Sequence, residues 1–379
     1  MRVLVLYVSV GAGHMKAAEA LRESIEKQFS GWSVDVLDAL KYINPIIDKV
    51  IVSSYLGTLK RSPKLYSMLY TASGTGTGIY DMSKALNKLL SYKLKRLIND
   101  YKPSAIVCTH PFPMQMLSSL KERNELNIPT VAILTDYVVH PLWLDSGMDA
   151  FIVANEIMKL EMISRGIPSG IIFPYGIPVS PKFLTQVDKK SLLRELGLDN
   201  KFTVLVMGGG MGFGHIENTM TSLLDCDIDL QIIAVTGTNQ KLKRQLEDSA
   251  KNSRKKVLIL SYTDRVNELM DISDLLITKP GGMTVSEALV KGLPIFIVSP
   301  IPGQEEGNAN FLIRSGVASK IDDSSQLVNV LSQVANDPVA LNAMRESSRF
   351  LGKPHSASDI AALLGRLVSG RNEQLQILK

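Results

Sequence analysis

Residues 275–308 read LLITKPGGMTVSEALVKGLPIFIVSPIPGQEEGN, and this stretch predicts two consecutive strand-to-helix turns. Leu275–Thr278 and Ile295–Val298 have the length and the apolar composition of buried strands. A glycine-rich loop follows each strand, and a helical pattern follows the first loop. The glycines at 281 and 282 let an anion approach the backbone, and a helix N-terminus adds partial positive charge there. The stretch therefore predicts an α/β fold with a phosphate-binding turn.

The first of these turns has a second interpretation. Thr284-Val285-Ser286-Glu287 fits a capping box, in which Thr284 and Glu287 would bond free amides and stabilise the helix by ~1 kcal/mol. The second loop, Ile301–Asn308, is dense in hydrogen-bonding side chains. That density of polar side chains favours a ligand site at the two turns.

The composition is that of an ordinary globular protein. Its 379 residues, 45% of them hydrophobic, predict two or three domains with buried cores. Cys108 and Cys226 are too few for a disulfide framework or a thiolate metal site, so a reducing cytoplasm fits best. The apolar run Val3–Val8 is too short for a signal peptide and predicts the first buried strand. No stretch approaches the ~20 apolar residues of a membrane-spanning helix, so we expect that the protein does not cross a bilayer.

Strands that alternate with helical segments predict two doubly wound, Rossmann-like sheets. The predicted strands of the first unit are Val3–Val8, Ser33–Leu37, Ser104–Thr109, Thr130–Leu134, Asp149–Ala154 and Ile171–Phe173. Those of the second are Thr203–Met207, Leu230–Val235, Val257–Leu260, Leu275–Thr278 and Ile295–Val298. We expect an N-terminal domain at 1–178, a C-terminal domain at 179–352, and a closing helix at 353–379 that packs back on the N-terminal domain.

Several chemistry-bearing side chains come just past the ends of predicted strands in the first unit. They are His14, His110, Asp136 and His140. Ligands of doubly wound folds gather beyond the carboxyl ends of the strands, so this placement predicts a site.

Two other kinds of site are disfavoured. The turn at Gly11–His14 lacks the third glycine of a dinucleotide fingerprint, since Lys16 stands there, although Asp35 or Asp38 falls near the position of a ribose-binding acid. The glycine run 208–214 has neither that fingerprint's spacing nor the lysine of a P-loop, so it reads as a phosphate-approach loop. The alternating aspartates 225, 227 and 229 lack further ligands nearby in sequence and favour a polar turn over a divalent metal site.

The positive charge of the chain is concentrated between Lys49 and Arg96. Nine basic residues against the single acid Asp81 give this segment +8, whereas the whole chain carries +5. Tyrosine and aliphatic residues are interleaved with the charges, which suits an anionic membrane surface at ~1 kcal/mol per basic residue. Nucleic acid is the rival partner, and solvated faces of core helices are the third interpretation.

The motifs resemble one family of GT-B glycosyltransferases, the monogalactosyldiacylglycerol synthases and bacterial processive diacylglycerol glucosyltransferases. The resemblance covers most of the chain and rests on Gly11–His14, Thr135-Asp136 with His140 and Trp143, Gly208–Gly210, Thr278–Gly282, Ile301–Glu305 and Gly307-Asn308. It implies two Rossmann-like domains that face a cleft, a UDP-sugar donor in the C-terminal domain and a lipid acceptor at the N-terminal domain. It also implies inversion at the anomeric carbon, with no metal and no cofactor.

Site residues follow from the resemblance position by position. His14 is the candidate base, because a histidine pKa near neutrality suits proton removal; Asp136 and His140 are second candidates. A helix-capping role without chemistry is the alternative for His14. The implied donor-binding residues are Gly209, Gly210, Tyr262, Thr263, Lys279, Gly281, Gly282, Thr284, Glu287, Gln304, Glu305 and Asn308. The implied acceptor and membrane residues are Gly13, Tyr55, Lys60, Arg61, Lys64, Tyr66, Tyr70 and Trp143.

We therefore expect transfer of glucose from a UDP-sugar to diacylglycerol, with repeated transfer onto the product. The enzyme would lie in the cytoplasm, peripherally on the inner face of the cell membrane, and would bind no nucleic acid. The sequence leaves three alternatives open. They are galactose transfer, transfer of N-acetylglucosamine to a lipid-linked precursor, and a non-catalytic UDP-sugar sensor at the membrane. It does not determine the oligomeric state.

Overall fold

A computed structural model describes residues 1–45, 49, 78–145, 147–209 and 216–377, with side chains described for all of these except 78–89 and 371–377. The chain divides into two compact units. The first comprises Met1–Pro181, Pro302–Gln304 and His355–Lys379. The second comprises Lys182–Ile301 and Glu305–Pro354.

The first unit is built on a parallel sheet that has six strands among the described residues. They are β1 Arg2–Tyr7, β2 Ser33–Asp38, β3 Ala105–Cys108, β4 Thr130–Ile133, β5 Ala150–Ile152 and β6 Ile172–Phe173, in the order β2-β1-β3-β4-β5-β6. Val5 lies between Val36 and Val107 in the register of the three neighbouring strands. Because all strands run the same way, the loops that follow them meet at one edge.

Helices cover this sheet. They are α1 Gly13–Gln28, α2 Ala39–Ile43, α3 Gly78–Tyr101, α4 Pro111–Glu122, α5 Glu156–Ser164 and α14 Ser356–Ile377, numbered in chain order. One apolar cluster joins α1 and α14 to one face of the sheet, with Leu21, Ile360 and Leu364 packed against Val5 and Ile133. Burial of these wholly enclosed side chains stabilises the unit by roughly 1.5–3 kcal/mol each.

The second unit repeats this plan, again with a parallel sheet that has six strands among the described residues. They are β7 Phe202–Met207, β8 Leu230–Val235, β9 Val257–Leu260, β10 Leu275–Thr278, β11 Ile295–Val298 and β12 Ala318–Ile321, in the order β12-β11-β10-β7-β8-β9. The helices are α6 Lys189–Glu195, α7 Ile216–Asp225, α8 Gln240–Ala250, α9 Val266–Ile272, α10 Gly282–Lys291, α11 Gln304–Arg314, α12 Ser324–Asn336 and α13 Pro338–Leu351. Gly292 ends α10 in the left-handed conformation with φ of +65°.

The predicted fold class is confirmed: both sheets are doubly wound and parallel, as in GT-B proteins. The ends of the predicted strands agree with the structure to within two residues. β12 was not predicted, because Ala-Ser-Lys-Ile is a short edge strand with a partly exposed middle and lacks a continuous apolar run.

Asp38 has a structural role at the end of β2. Its carboxylate accepts hydrogen bonds from the Ser9 amide at 3.1 Å, from the Ser9 hydroxyl, and from the Lys41 amide at 3.1 Å, which caps α2. These bonds fix the turn after β1. The turn lacks the dinucleotide fingerprint, and Asp38, one of the two acids near the position of a ribose-binding residue, uses its carboxylate to bond Ser9 and Lys41 instead.

Candidate active site

His14 lies in the first turn of α1, just beyond the carboxyl end of β1. Gly11 makes the intervening turn with φ of +87°, a conformation that L side chains rarely adopt. No side chain caps α1, whose N-cap residue is Ala12. A helix-capping role for the His14 side chain is therefore not seen, and its ring is directed by other contacts.

Two threonines hold the ring of His14. Its Nδ1 lies 2.6 Å from the carbonyl oxygen of Thr109 and 3.0 Å from Oγ1 of Thr135. Thr109 Oγ1 in turn donates to the carbonyl oxygen of His14 at 2.9 Å. Thr109 follows β3 directly and Thr135 comes two residues after β4, so three neighbouring strands bring these groups together. The sequence marked the motif at Thr135 but gave no role to either threonine.

These contacts determine the tautomer of His14. A carbonyl oxygen can only accept a hydrogen bond, so Nδ1 carries the proton in the neutral ring. The lone pair is then on Nε2. This arrangement can take a proton from an acceptor hydroxyl.

The surroundings keep this ring neutral. Burial lowers the pKa of His14 to about 4, and the hydrogen bond to Thr109 opposes that effect only in part. The ring of His110 is edge-on to that of His14, with centroids 4.7 Å apart. Burial, and then the charge that His14 would carry, hold the pKa of His110 well below its usual range. Both imidazoles are therefore neutral at neutral pH.

The pKa of His14 predicts a titration midpoint near pH 4 instead of 6.5 in the folded protein. Since the folded pKa is the lower one, the unfolded chain takes up the proton first as the pH falls. The contribution of His14 to the free energy of unfolding is thus constant above pH 6.5 and declines between pH 6.5 and 4. The chemical shift of the imidazole Cε1 proton, assigned by its loss in His14→Gln, measures the midpoint. Titration near pH 6.5 would contradict the buried, neutral ring.

The loop after β4 carries the two second candidates for the base. Asp136 is half-buried, two residues past Leu134. His140 caps the 3-10 turn Pro141–Trp143, because its Nδ1 accepts a hydrogen bond from the Leu142 amide at 3.2 Å. The proton of neutral His140 is then on Nε2, which suits donation to an oxygen. The catalytic roles of both residues stay predictions.

Side chains of α4 bond the same loop. Gln115 donates to the carbonyl oxygen of Leu142 at 3.1 Å, and the Ser118 hydroxyl bonds the buried carboxylate of Asp145. Trp143 is 4% exposed and packs inside the first unit. Its predicted contact with the acceptor stays a prediction.

Part of the predicted acceptor surface lies outside the described residues. That part comprises Tyr55, Lys60, Arg61, Lys64, Tyr66 and Tyr70, and among the donor residues it includes Gly210. Gly13 is described and is the first residue of α1.

In the second unit the phosphate-binding turn predicted from residues 275–284 joins β10 to α10. The N-cap is Gly281, with φ of −70° and ψ of 134°, and it has no side chain to cap the helix. The amide of Val285 is the first to bond within the helix, at 3.0 Å to the carbonyl oxygen of Gly281. The amides of the first turn, from Gly282 to Thr284, can therefore bind an anion.

The capping-box interpretation was wrong. It required Thr284 at the N-cap, but the N-cap is Gly281, three residues earlier, and α10 begins at Gly282. The earlier start brings Met283 into the helix, where its side chain is 8% exposed. Glu287 is the sixth residue of α10 and is half-buried.

Lys279 and Glu305 form an ion pair beside this turn. Lys279 Nζ lies 2.5 Å from Glu305 Oε1, and the amide of Ile301 donates to Glu305 Oε2 at 3.0 Å. Gly209 approaches from β7 with φ of +67°, and a Cβ there would lie 3.3 Å from Lys279 Cε. The side chain of Asn308 is wholly buried, and its Nδ2 donates to the carbonyl oxygen of Pro280 at 3.0 Å. The two loops predicted from residues 275–308 are thus bonded to each other.

Of the remaining predicted donor residues, Tyr262 and Thr263 lie beyond β9 of the second sheet, whereas Gln304 is grouped with the first unit, where its side-chain amide donates to the carboxylate of Asp136. Tyr262, 52% exposed, and Thr263 follow β9, and Thr263 Oγ1 accepts from the Arg265 amide at 3.1 Å. Gln304 is the first residue of α11, after Gly303 with φ of +94°. Their contacts with a donor stay predictions.

The aspartates at 225, 227 and 229 are not grouped around a common point in the described part of the chain. Asp225 is the last residue of α7, and Asp229 pairs with Lys201 at 2.8 Å. Within the described part of the chain, no cluster of histidine, cysteine and carboxylate groups is suited to hold a metal ion.

Comparisons with known proteins match both halves of the chain. The family model described as Monogalactosyldiacylglycerol (MGDG) synthase matches residues 14–179, and the Glycosyltransferase family 28 C-terminal domain matches residues 203–364. The processive diacylglycerol beta-glucosyltransferase of Staphylococcus carnosus is 31% identical over 356 residues, 92% of this chain and 88% of that protein. The chain belongs to the family of processive diacylglycerol beta-glucosyltransferases. The family predicted from the sequence motifs is confirmed.

Other relatives in this processive diacylglycerol beta-glucosyltransferase family have similar coverage. The protein of Bacillus subtilis strain 168 is 28% identical over 368 residues, 95% of this chain and 93% of its own. The first family match begins at His14, and the second contains the whole of 275–308. The His14 cluster of the first unit and the α10 turn of the second therefore each fall in family-matched sequence.

Solved structures share the fold of this glucosyltransferase family member. MurG of Acinetobacter baumannii superposes with a TM-score of 0.62 at 15% identity and covers 96% of this chain and 99% of its own. MnaA of S. aureus, in a co-structure with UDP, gives 0.64 at 14% identity and covers 97% of each chain. At these identities the likeness shows the GT-B fold alone.

Proposed function

We propose that the chain transfers glucose from UDP-glucose to the hydroxyl of diacylglycerol, with inversion and without a metal, and then adds glucose to its own product. The observation that carries the proposal is the His14 cluster, which presents an unprotonated Nε2 at the carboxyl edge of the first sheet. The names of the relatives supply the acceptor and the sugar.

His14 takes the proton of the acceptor hydroxyl in this proposal. The hydroxyl oxygen attacks the anomeric carbon on the face opposite to UDP and forms the new glycosidic bond. The bond between that carbon and the phosphate oxygen breaks, and UDP leaves with the electron pair. The Thr109 carbonyl oxygen stabilises the imidazolium through Nδ1–H. Asp136 is the second candidate for this base; the sequence also offered His140, but its Nδ1 accepts from Leu142 and its proton is on Nε2, so it suits donation of a proton and not removal of one.

The donor is held by the second unit. The first-turn amides of α10, the turn at Gly209 and the ammonium of Lys279 neutralise the diphosphate in place of a metal. Glu305 supports this by holding Lys279 beside Gly209. The proposed roles of the other side chains are ribose binding by Glu287, uracil contact by Tyr262 and Thr263, and contact with glucose and the nearby phosphate by Gln304, Glu305 and Asn308.

Galactose is the second candidate sugar, because the matching N-terminal family model is described as a galactolipid synthase. Glucose and galactose differ at the C4 hydroxyl alone. We expect glucolipid when purified protein is incubated with diacylglycerol vesicles and UDP-glucose, and less product with UDP-galactose or UDP-N-acetylglucosamine. Failure to form glycolipid from any donor would contradict the enzyme and favour a UDP-sugar sensor.

We further propose that the basic segment 49–96 docks the protein peripherally on the inner face of the cell membrane. The geometry of α3 supports this. Its 24 residues span about 36 Å, whereas strands of four to six residues span about 13–20 Å. Lys93 bonds the carbonyl oxygen of Ile43, just past the end of β2, at 2.8 Å. The last residue of α3, Tyr101, lies beside the start of β1, where its hydroxyl bonds the carbonyl oxygen of Val3. The helix runs from there along the sheet, and because it is longer than the strands, its first half extends past their carboxyl ends, the edge on which His14 lies.

This docking predicts salt-dependent binding. Vesicles that contain anionic phosphatidylglycerol should bind the protein several-fold more tightly at low salt than at 0.5 M salt, because exposed charges are screened within about 10 Å at 0.1 M ionic strength. Cosedimentation with vesicles measures the effect. Equal binding to anionic and neutral vesicles at low salt would contradict electrostatic docking.

A further inference from the structure

α5 presents an unusual row of aliphatic side chains to solvent. Ile157 is 65% exposed, Leu160 is 66% exposed and Ile163 is 36% exposed, at spacings of three residues along one face. Met158 and Met162, on the opposite face, are fully buried in the first unit. Among the side chains that the structure describes, the other large exposed hydrophobic groups are scattered over the chain. A nine-residue helix that exposes three aliphatic side chains is a candidate contact surface.

The position of α5 relates this row to the acceptor chemistry. The helix is capped by Asn155, which follows β5, and β5 pairs with β4, whose following loop supplies Thr135 to the His14 ring. The first turn of α5, with Ile157, therefore lies at the same edge of the first sheet as His14.

The charges around the row are balanced. Glu161 pairs with Arg165 at 2.6 Å, and Glu156 and Lys159 offset each other. An uncharged aliphatic row suits an uncharged lipid such as diacylglycerol, whose small hydroxyl headgroup leaves hydrocarbon accessible. It does not suit an anionic headgroup, for which the basic segment is the better match.

A second copy of the chain fits this row less well. A stable protein interface buries about 800 Å² on each partner, and three aliphatic side chains supply only a fraction of that area. A lipid surface needs no complementary partner of this size, because insertion gains free energy with each buried methylene.

We propose that Ile157, Leu160 and Ile163 insert into the uncharged, diacylglycerol-containing part of the membrane surface and bring the edge with His14 to its acceptor. The inference rests on the proposed diacylglycerol acceptor. It adds to the basic segment a second membrane contact whose strength depends on apolar area and not on salt.

The test uses the full chain and neutral vesicles of phosphatidylcholine with diacylglycerol at 0.5 M salt, where electrostatic docking contributes little. We expect Ile157→Ser/Leu160→Ser/Ile163→Ser to partition onto these vesicles at least tenfold more weakly than wild type, since full burial of even one aliphatic side chain is worth roughly tenfold. Ile157→Ser/Leu160→Ser, which keeps the least exposed of the three, should lose an intermediate amount. Circular dichroism checks that both variants are folded.

The matched control is Val339→Ser/Phe350→Ser on α13, which removes two aliphatic or aromatic side chains that are 79% and 88% exposed. This variant should bind as wild type does. The rate of transfer to dispersed, short-chain dioctanoylglycerol should be the same in all variants.

Unchanged partition of the triple variant would overturn the proposal. So would a wild-type dimer that the triple variant converts to monomer in sedimentation velocity, because the row would then bind a second copy. The triple variant could also lose vesicle binding while neither wild type nor any variant forms glycolipid. That result would support membrane insertion of the row and contradict the proposed transfer to diacylglycerol.

Discussion

Replacing His14 with alanine is expected to lower the rate of glucosyl transfer by about 10²–10⁴-fold while UDP affinity stays the same. The ring makes its contacts, to Thr109 and Thr135, within the first unit, whereas the proposed diphosphate site is built by α10 in the second. Initial rates on diacylglycerol vesicles and calorimetric titration with UDP separate the two quantities. His355→Ala, an exposed histidine of the same unit, is the matched control and should keep full activity.

Two results would remove His14 from the mechanism. One is unchanged turnover in His14→Ala. The other is a parallel loss of turnover and UDP binding, which would indicate a general structural defect. Asp136→Asn, measured in the same assay, would then test whether Asp136 removes the proton.

Replacing Gly281 with aspartate is expected to stabilise the protein and abolish donor binding. A Cβ at Gly281 meets no atom within 4 Å, and its φ of −70° suits any residue. The new carboxylate would cap the free amides of α10 and raise the stability by about 0.5–1 kcal/mol. It would also oppose the diphosphate with about 4 kcal/mol per charge pair at 4 Å and an effective dielectric constant of 20, so that UDP-glucose binds more than 100-fold more weakly.

Gly281→Ala is the control, because it adds the Cβ without the charge or the cap. It should bind UDP-glucose within a few-fold of wild type. Thermal unfolding and calorimetric titration measure both effects. If Gly281→Asp unfolds at a higher temperature but still binds UDP-glucose normally, the diphosphate does not bind at the N-terminus of α10.

The sequence predicted the sheets well because their signal is local. β9 and β11 consist wholly of apolar residues, β8 and β10 each contain one polar residue, Gln231 and Thr278, and the predicted ends of all four strands agree with the structure. β12 has a half-buried serine and an exposed lysine in its middle, so only its two end residues are both apolar and buried. The alternative interpretation of this turn as a capping box failed because threonine is a common N-cap, whereas the N-cap here is Gly281, which has no side chain to bond an amide.

The sequence indicated several residues of the candidate site, but it did not predict the hydrogen bonds that they make. Polar residues after buried strands drew attention to His14, His110 and Asp136. That Thr109 and Thr135 fix one tautomer of His14 depends on atoms about a hundred residues apart in sequence. The pKa of His14 also differs from the prediction from its residue type, which placed it near neutrality, because burial lowers it to about 4.

The packing of α14 determines how this protein can be divided or recombined. Its side chains, among them Ile360 and Leu364, complete the apolar core of the first unit, although the second unit, at residues 182–301 and 305–354, precedes them in the chain. A fragment that ends near residue 179, where the first family match ends, would leave that core open to water. Exchange of sugar specificity with a related enzyme therefore requires an internal cassette transplanted at two junctions, with the final helix kept from the recipient.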